Sequence, residues 1–96
     1  MKYLVIDAAL SGKGIRNKYE GDYIAPEDLG LSLTTKRKLN EWLLKYDNEH
    51  YNGFVDDNLI NELDREGKEI ALMIKKELPE VKLEYFSDAR MTIEMI

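Results

Sequence analysis

A chain of 96 residues with 44% hydrophobic content suits one compact domain built round one core. Fourteen Lys and Arg against nineteen Asp and Glu give a net charge of −5, which argues against a nucleic-acid-binding domain, since phosphate recognition needs surplus cations on one face. With no cysteine, and an opening run MKYLVIDAAL broken by Asp7 too early for a signal peptide or a membrane span, the expectation is a cytoplasmic protein.

In chain order, Tyr3–Ala8 is β-branched and aromatic, the pattern of a buried strand. Residues 11–30 hold four of the six glycines and one proline, and read as a long irregular connection with a short extended piece at Asp22–Ala25. Ser32 is placed to cap a helix running to about Asn48, on which Leu39, Trp42, Leu43 and Tyr46 recur at helical spacing. Asn52-Gly53 ends that region in a turn.

Asp56 or Asp57 caps a second helix, about 57–78, with an apolar stripe through Leu59, Ile60, Leu63, Ile70, Ala71, Ile74 and Leu78. Gly67 interrupts the stripe at about 1 kcal/mol of helix propensity, which implies a close approach by another backbone. Pro79 stops the helix. Segments 81–86 and 90–96 alternate apolar and polar residues round Ser87-Asp88-Ala89, the pattern of an antiparallel hairpin. The expected fold is α+β: a small, mostly antiparallel sheet, made of the N-terminal strand and the C-terminal hairpin, covered on one face by two helices.

The stretch 47-DNEHYNGFVDD-57 gathers four carboxylates round His50, the single histidine. Its spacing is neither His-Glu-x-x-His nor an EF-hand loop, so no metal ligand is assigned. His50 sits at a helix end whose dipole favours an imidazolium, and no nucleophile or second base accompanies it. Lys13 between Gly12 and Gly14 lacks the spacing of a phosphate-binding loop and reads as a turn. No G-x-S-x-G is present. Tyr3, Tyr46 and Tyr85 read as core residues, not as a stacking platform. The residues therefore point to no catalytic group and no cofactor.

Charge distribution is more informative. No basic residue lies between Tyr19 and Thr35, while Glu20, Asp22, Glu27 and Asp28 carry −4, and residues 47–57 carry another −4. Tyr19, Tyr23, Tyr51 and Phe54 lie among them. Aromatic anchors with a charged rim make a protein-binding patch. The candidate partner-binding residues are Asp22, Tyr23, Glu27, Asp28, Glu49, Tyr51, Asp56 and Asp57.

The run 27-EDLGLSLTTKRKLNEWLLKYD-47, the later Glu66-Gly67 and the segment 81-VKLEYF-86 resemble small acidic immunity proteins of bacterial toxin systems, including contact-dependent growth inhibition. The resemblance covers roughly residues 25–86. It implies a cytoplasmic inhibitor that binds a basic cognate toxin domain, often a nuclease, and it transfers no functional residue. Lys13, Arg16 and Lys18 match nothing in it. Two other readings stay open: a small module that self-associates through the hairpin edge, and an enzyme acting through His50. The oligomeric state is not fixed by the sequence.

Overall fold

The computed structural model describes residues 2–10 and 12–96. The apolar start forms β1 (Tyr3–Ile6), and the chain reverses to β2 (Ile15–Asn17), which pairs with it antiparallel. Helices α1 (Leu33–Asn52) and α2 (Asp57–Glu77) follow, and then the hairpin β3 (Lys82–Ser87) and β4 (Thr92–Met95). The sheet order is β2-β1-β3-β4, and the helices cover one face.

The expected α+β sandwich is present, with a mixed sheet: the central pair β1–β3 is parallel and the two outer pairings are antiparallel. The helix pair explains this. α1 and α2 run antiparallel, since Lys45 meets Glu66 near their middles and Ser32 meets Glu77 at their far ends. The chain therefore returns to the end of the sheet where β1 begins, and β3 can only run alongside it.

Local signals set the helix ends. Ser32 caps α1, its hydroxyl accepting from the Thr35 N–H at 3.2 Å. The Asp56 carboxyl accepts from the N–H groups of Asn58 and Leu59, capping α2. Gly53 closes α1 in the left-handed conformation, φ 81°, and its N–H bonds the Glu49 carbonyl. α1 thus runs one turn past the expected Asn48 and takes His50, Tyr51 and Asn52 into the helix.

Two further expectations change. The 11–30 connection is not structureless: it contains β2 and a 3-10 turn at Pro26–Leu29, while Tyr23 makes one bridge to Arg16. Ser11 itself lies outside the described residues. Arg90 and Met91 belong to the turn, not to the last strand, and Met91 has φ 56°.

The core lies between the helices and the sheet face that carries Leu4, Ile6, Leu83 and Tyr85. Trp42 is fully buried and its indole N–H donates to the Leu63 carbonyl at 2.8 Å. Gly67 faces the Trp42 and Tyr85 rings, so the close approach here is by aromatic side chains and not by backbone. No described helix is long and apolar enough to cross a membrane.

Candidate functional site

Because β1 and β3 are parallel, their carboxyl ends open on the same edge of the sheet, and the last turn of α1 docks there. Asp7 follows β1 and Asp88 follows β3. Asp7 is only 2% exposed, held by the Arg16 guanidinium at 2.9 Å and the Tyr23 hydroxyl at 3.1 Å. His50 Nε2–H donates to the Ala8 carbonyl at 2.9 Å and lies 3.8 Å from Asp88 Oδ2. The Phe54 ring stands edge-on to the imidazole, with centroids 4.8 Å apart.

Burial raises the Asp88 carboxyl above its ordinary value, and the neighbouring Asp7 adds to the rise. Its Oδ1 is buried with no hydrogen-bond partner among the described residues. Burial, with Asp7 beside it, pushes the Tyr23 hydroxyl up to about 12. The cluster is a packed polar plug at the end of the sheet. Among the described residues no set of three or more His, Asp or Glu side chains is arranged to hold a metal ion.

A second polar centre lies between α2 and β3. Asp64 accepts from the hydroxyls of Tyr85 (2.6 Å), Ser87 (2.8 Å) and Tyr46 (3.0 Å). Burial foremost raises both phenols, Tyr46 to about 12. This centre floors a cleft of about 420 Å³, with Arg65, Lys68 and Arg90 at its rim. Those cations are already engaged, Lys68 with Glu94 at 2.7 Å and Arg90 with Asn61 at 2.7 Å.

The eight sequence-derived candidates separate into groups. Asp22, Glu27 and Asp28 are exposed, and no ion pair engages them among the described residues. Glu27 shares a shallow cleft with Lys13 and Lys36. Tyr23 is half-buried, its hydroxyl committed to Asp7. Tyr51 is 80% exposed. Asp56 is exposed but serves as the α2 cap, and Asp57 lies 4.0 Å from Arg90.

Glu49 departs from the surface reading: it is only 5% exposed and accepts from the Asn52 side chain at 3.2 Å. Phe54 is half-buried against the core, whereas Tyr19 is exposed with its ring edge-on to Tyr3.

Sequence reasoning missed Asp7, Asp64 and Asp88. Asp64 left a readable trace, a carboxyl on the apolar stripe of α2 between Ile60 and Gly67. Asp7 left a weaker one at the end of an apolar run, and Asp88 left none, since an aspartate in a turn is ordinary. No protein-family model matches the chain, and no curated protein matches it.

Proposed function

We propose that this chain is a non-catalytic binding protein of the immunity type, which neutralises a basic toxin domain by covering its active surface. One observation carries the reading. The exposed carboxylates Asp22, Glu27 and Asp28 have no cationic partner among the described residues, whereas the buried Asp7 and Glu84 are paired with Arg16 and Lys18. Unpaired surface charge contributes little to folding and is free to act at a distance.

In this mechanism the carboxylates attract a cationic surface and occupy the places where the phosphates of a nucleic-acid substrate would lie. Opposite charge accelerates capture, and exposed rings such as Tyr51 supply contact area once the surfaces meet.

The test is co-expression with the basic toxic domain encoded beside its gene, followed by association kinetics at two salt concentrations. The expected result is restored growth and a complex whose association slows as salt rises. Charge reversal by Glu27→Lys with Asp28→Lys should slow association by about tenfold at low salt, with a smaller effect at high salt. Growth arrest without a complex would remove the reading.

A further inference from the structure

The two edges of the sheet are treated differently. Outside β2, the segment 22–24 covers the free edge: Ile24 N–H donates to the Ile15 carbonyl, and Asn17 N–H donates to the Asp22 carbonyl. Outside β4 no described segment lies, and Met91, Ile93 and Met95 are 74%, 58% and 62% exposed. Neither Lys nor Pro interrupts Met91–Ile96, although these are common devices for blunting an edge.

Register decides which groups β4 offers. Ile96 N–H donates to the Leu83 carbonyl, which continues the pairings Glu84 with Met95 and Tyr85 with Glu94. Hydrogen-bonded positions alternate, so Thr92, Glu94 and Ile96 turn their main chain toward β3, while Ile93 and Met95 present theirs outward. Side chains alternate as well. Glu94 lies on the helix side, where Lys68 binds it at 2.7 Å. Ile93 and Met95 lie on the uncovered face, where Met95 reaches the Tyr3 hydroxyl.

We infer that β4 is a self-association edge, pairing antiparallel with β4 of a second copy about a two-fold axis through Ile93. A two-fold that keeps both helix layers on one side must pass through a residue, because facing residues in an antiparallel pair point to the same side. Centring it on Glu94 sets two like charges directly opposite each other. Centring it on Ile93 sets Ile93 against Ile93 and Thr92 against Glu94, so apolar meets apolar at the centre and no charge meets its like. The result is one eight-stranded sheet across two copies, whose central Ile93 pair exchanges two main-chain hydrogen bonds. A one-strand interface is small, so the dimer is a weak one with a dissociation constant on the order of micromolar. The inference is independent of any toxin partner.

Sedimentation of the purified full chain from about 1 to 500 µM tests it, the range spanning such a constant. A concentration-dependent dimer is expected. Ile93→Lys, at an exposed position, should weaken it at least tenfold while leaving the melting curve in place. A single species at the monomer mass over the whole range overturns the inference, as does a dimer indifferent to Ile93→Lys.

The absence of native cysteine allows a register test. Facing α-carbons in the central pair stand about 5.5 Å apart, within disulfide reach, so Ile93→Cys should cross-link with itself when oxidised glutathione is added. Met95→Cys should not, because Met95 of the second copy then lies about 14 Å away along the strand. Two results overturn the Ile93-centred register. One is cross-linking of Met95→Cys alone; the other is a preference for the mixed disulfide when the Ile93→Cys and Met95→Cys variants are combined.

Discussion

The Tyr85 hydroxyl donates to Asp64 Oδ1 over 2.6 Å inside the core, joining the β3 strand to α2. Tyr46 from α1 and Ser87 from the end of β3 converge on the same carboxyl group, and the Ala89 N–H in turn donates to the Tyr46 hydroxyl. One aspartate therefore ties both helices to the hairpin. Asp64→Ala should strand these hydroxyls without an acceptor and cost about 3 kcal/mol or more in urea unfolding. Tyr85→Phe removes only one donor and should cost roughly 1–3 kcal/mol. Equal losses in the two variants would show that the network does not hinge on the carboxyl group.

Gly67 makes a sharper case, because two effects oppose each other. In an open helix, Gly67→Ala would gain about 1 kcal/mol of propensity. Here a Cβ would meet Trp42 Cζ2 at 2.7 Å and the Tyr85 ring closer still. Both rings belong to fully buried side chains and cannot move aside cheaply. Overpacking costs about 1–3 kcal/mol, so after the propensity gain we expect a net loss of up to about 2 kcal/mol, read as a lower urea midpoint at unchanged slope.

Asp88 gives the fold a pH dependence of defined sign. Burial and Asp7 raise its folded value above that of the unfolded chain, so the native state holds the proton more tightly. Its contribution is complete below the ordinary aspartate value of about 4 and is lost as pH rises through the raised one. Asp88→Asn, which carries no ionisable proton, should flatten this part of the stability–pH curve and leave the variant relatively more stable at neutral pH. Thermal melts at closely spaced pH values check it; an unchanged curve would remove Asp88 from the account.

Glu84 runs the other way. Burial alone would raise it, but hydrogen bonds from Lys18 and Tyr3 bring it below the usual range. A lowered folded value means stability present above about 4 and lost as pH falls through the shifted value. Lys18→Met should therefore reduce stability near neutral pH and make acid unfolding less steep. The measurement is a paired acid titration of the two proteins by circular dichroism.

Tyr51 separates binding from folding. At 80% exposure its removal should change stability by less than about 0.5 kcal/mol. If it anchors a partner, Tyr51→Ala should cost about 2 kcal/mol of affinity, close to thirtyfold in the dissociation constant. Glu49 is the contrasting control. Being buried, it should alter stability before it alters binding.

Much of the helical layer was legible because its signals act over one or two turns. Ser32 and Asp56 cap their helices through bonds to N–H groups two or three residues away. The two outer strands hid in different ways. β2 is three residues long and lies between glycines, too short to show an alternation. β4 showed its alternation, but the left-handed Met91 moved the start of the strand by two residues.

The candidate site was legible only as composition. The acidic surplus between residues 19 and 35, and between 47 and 57, is a property of the chain itself. Which carboxyls face water is not. Glu49 and Asp57 look alike in sequence, yet one is buried beneath the end of α1 and the other stands at the exposed start of α2.

The starts of the two helices, their amphipathic character and the excess of negative charge are all written in the order of residues, whereas the end of α1 was read one turn short. Caps, breakers and periodicity are local, so each is found within a few residues of where it acts. Folding in three dimensions was needed to lay β1 parallel to β3, and so to bring Asp7 and Asp88 together from opposite ends of the chain. It was needed also to share Asp64 between two helices and a hairpin, and to leave the outer edge of β4 uncovered by any described segment. Those outcomes depend on which surfaces pack together across space, and packing is settled by the whole chain at once.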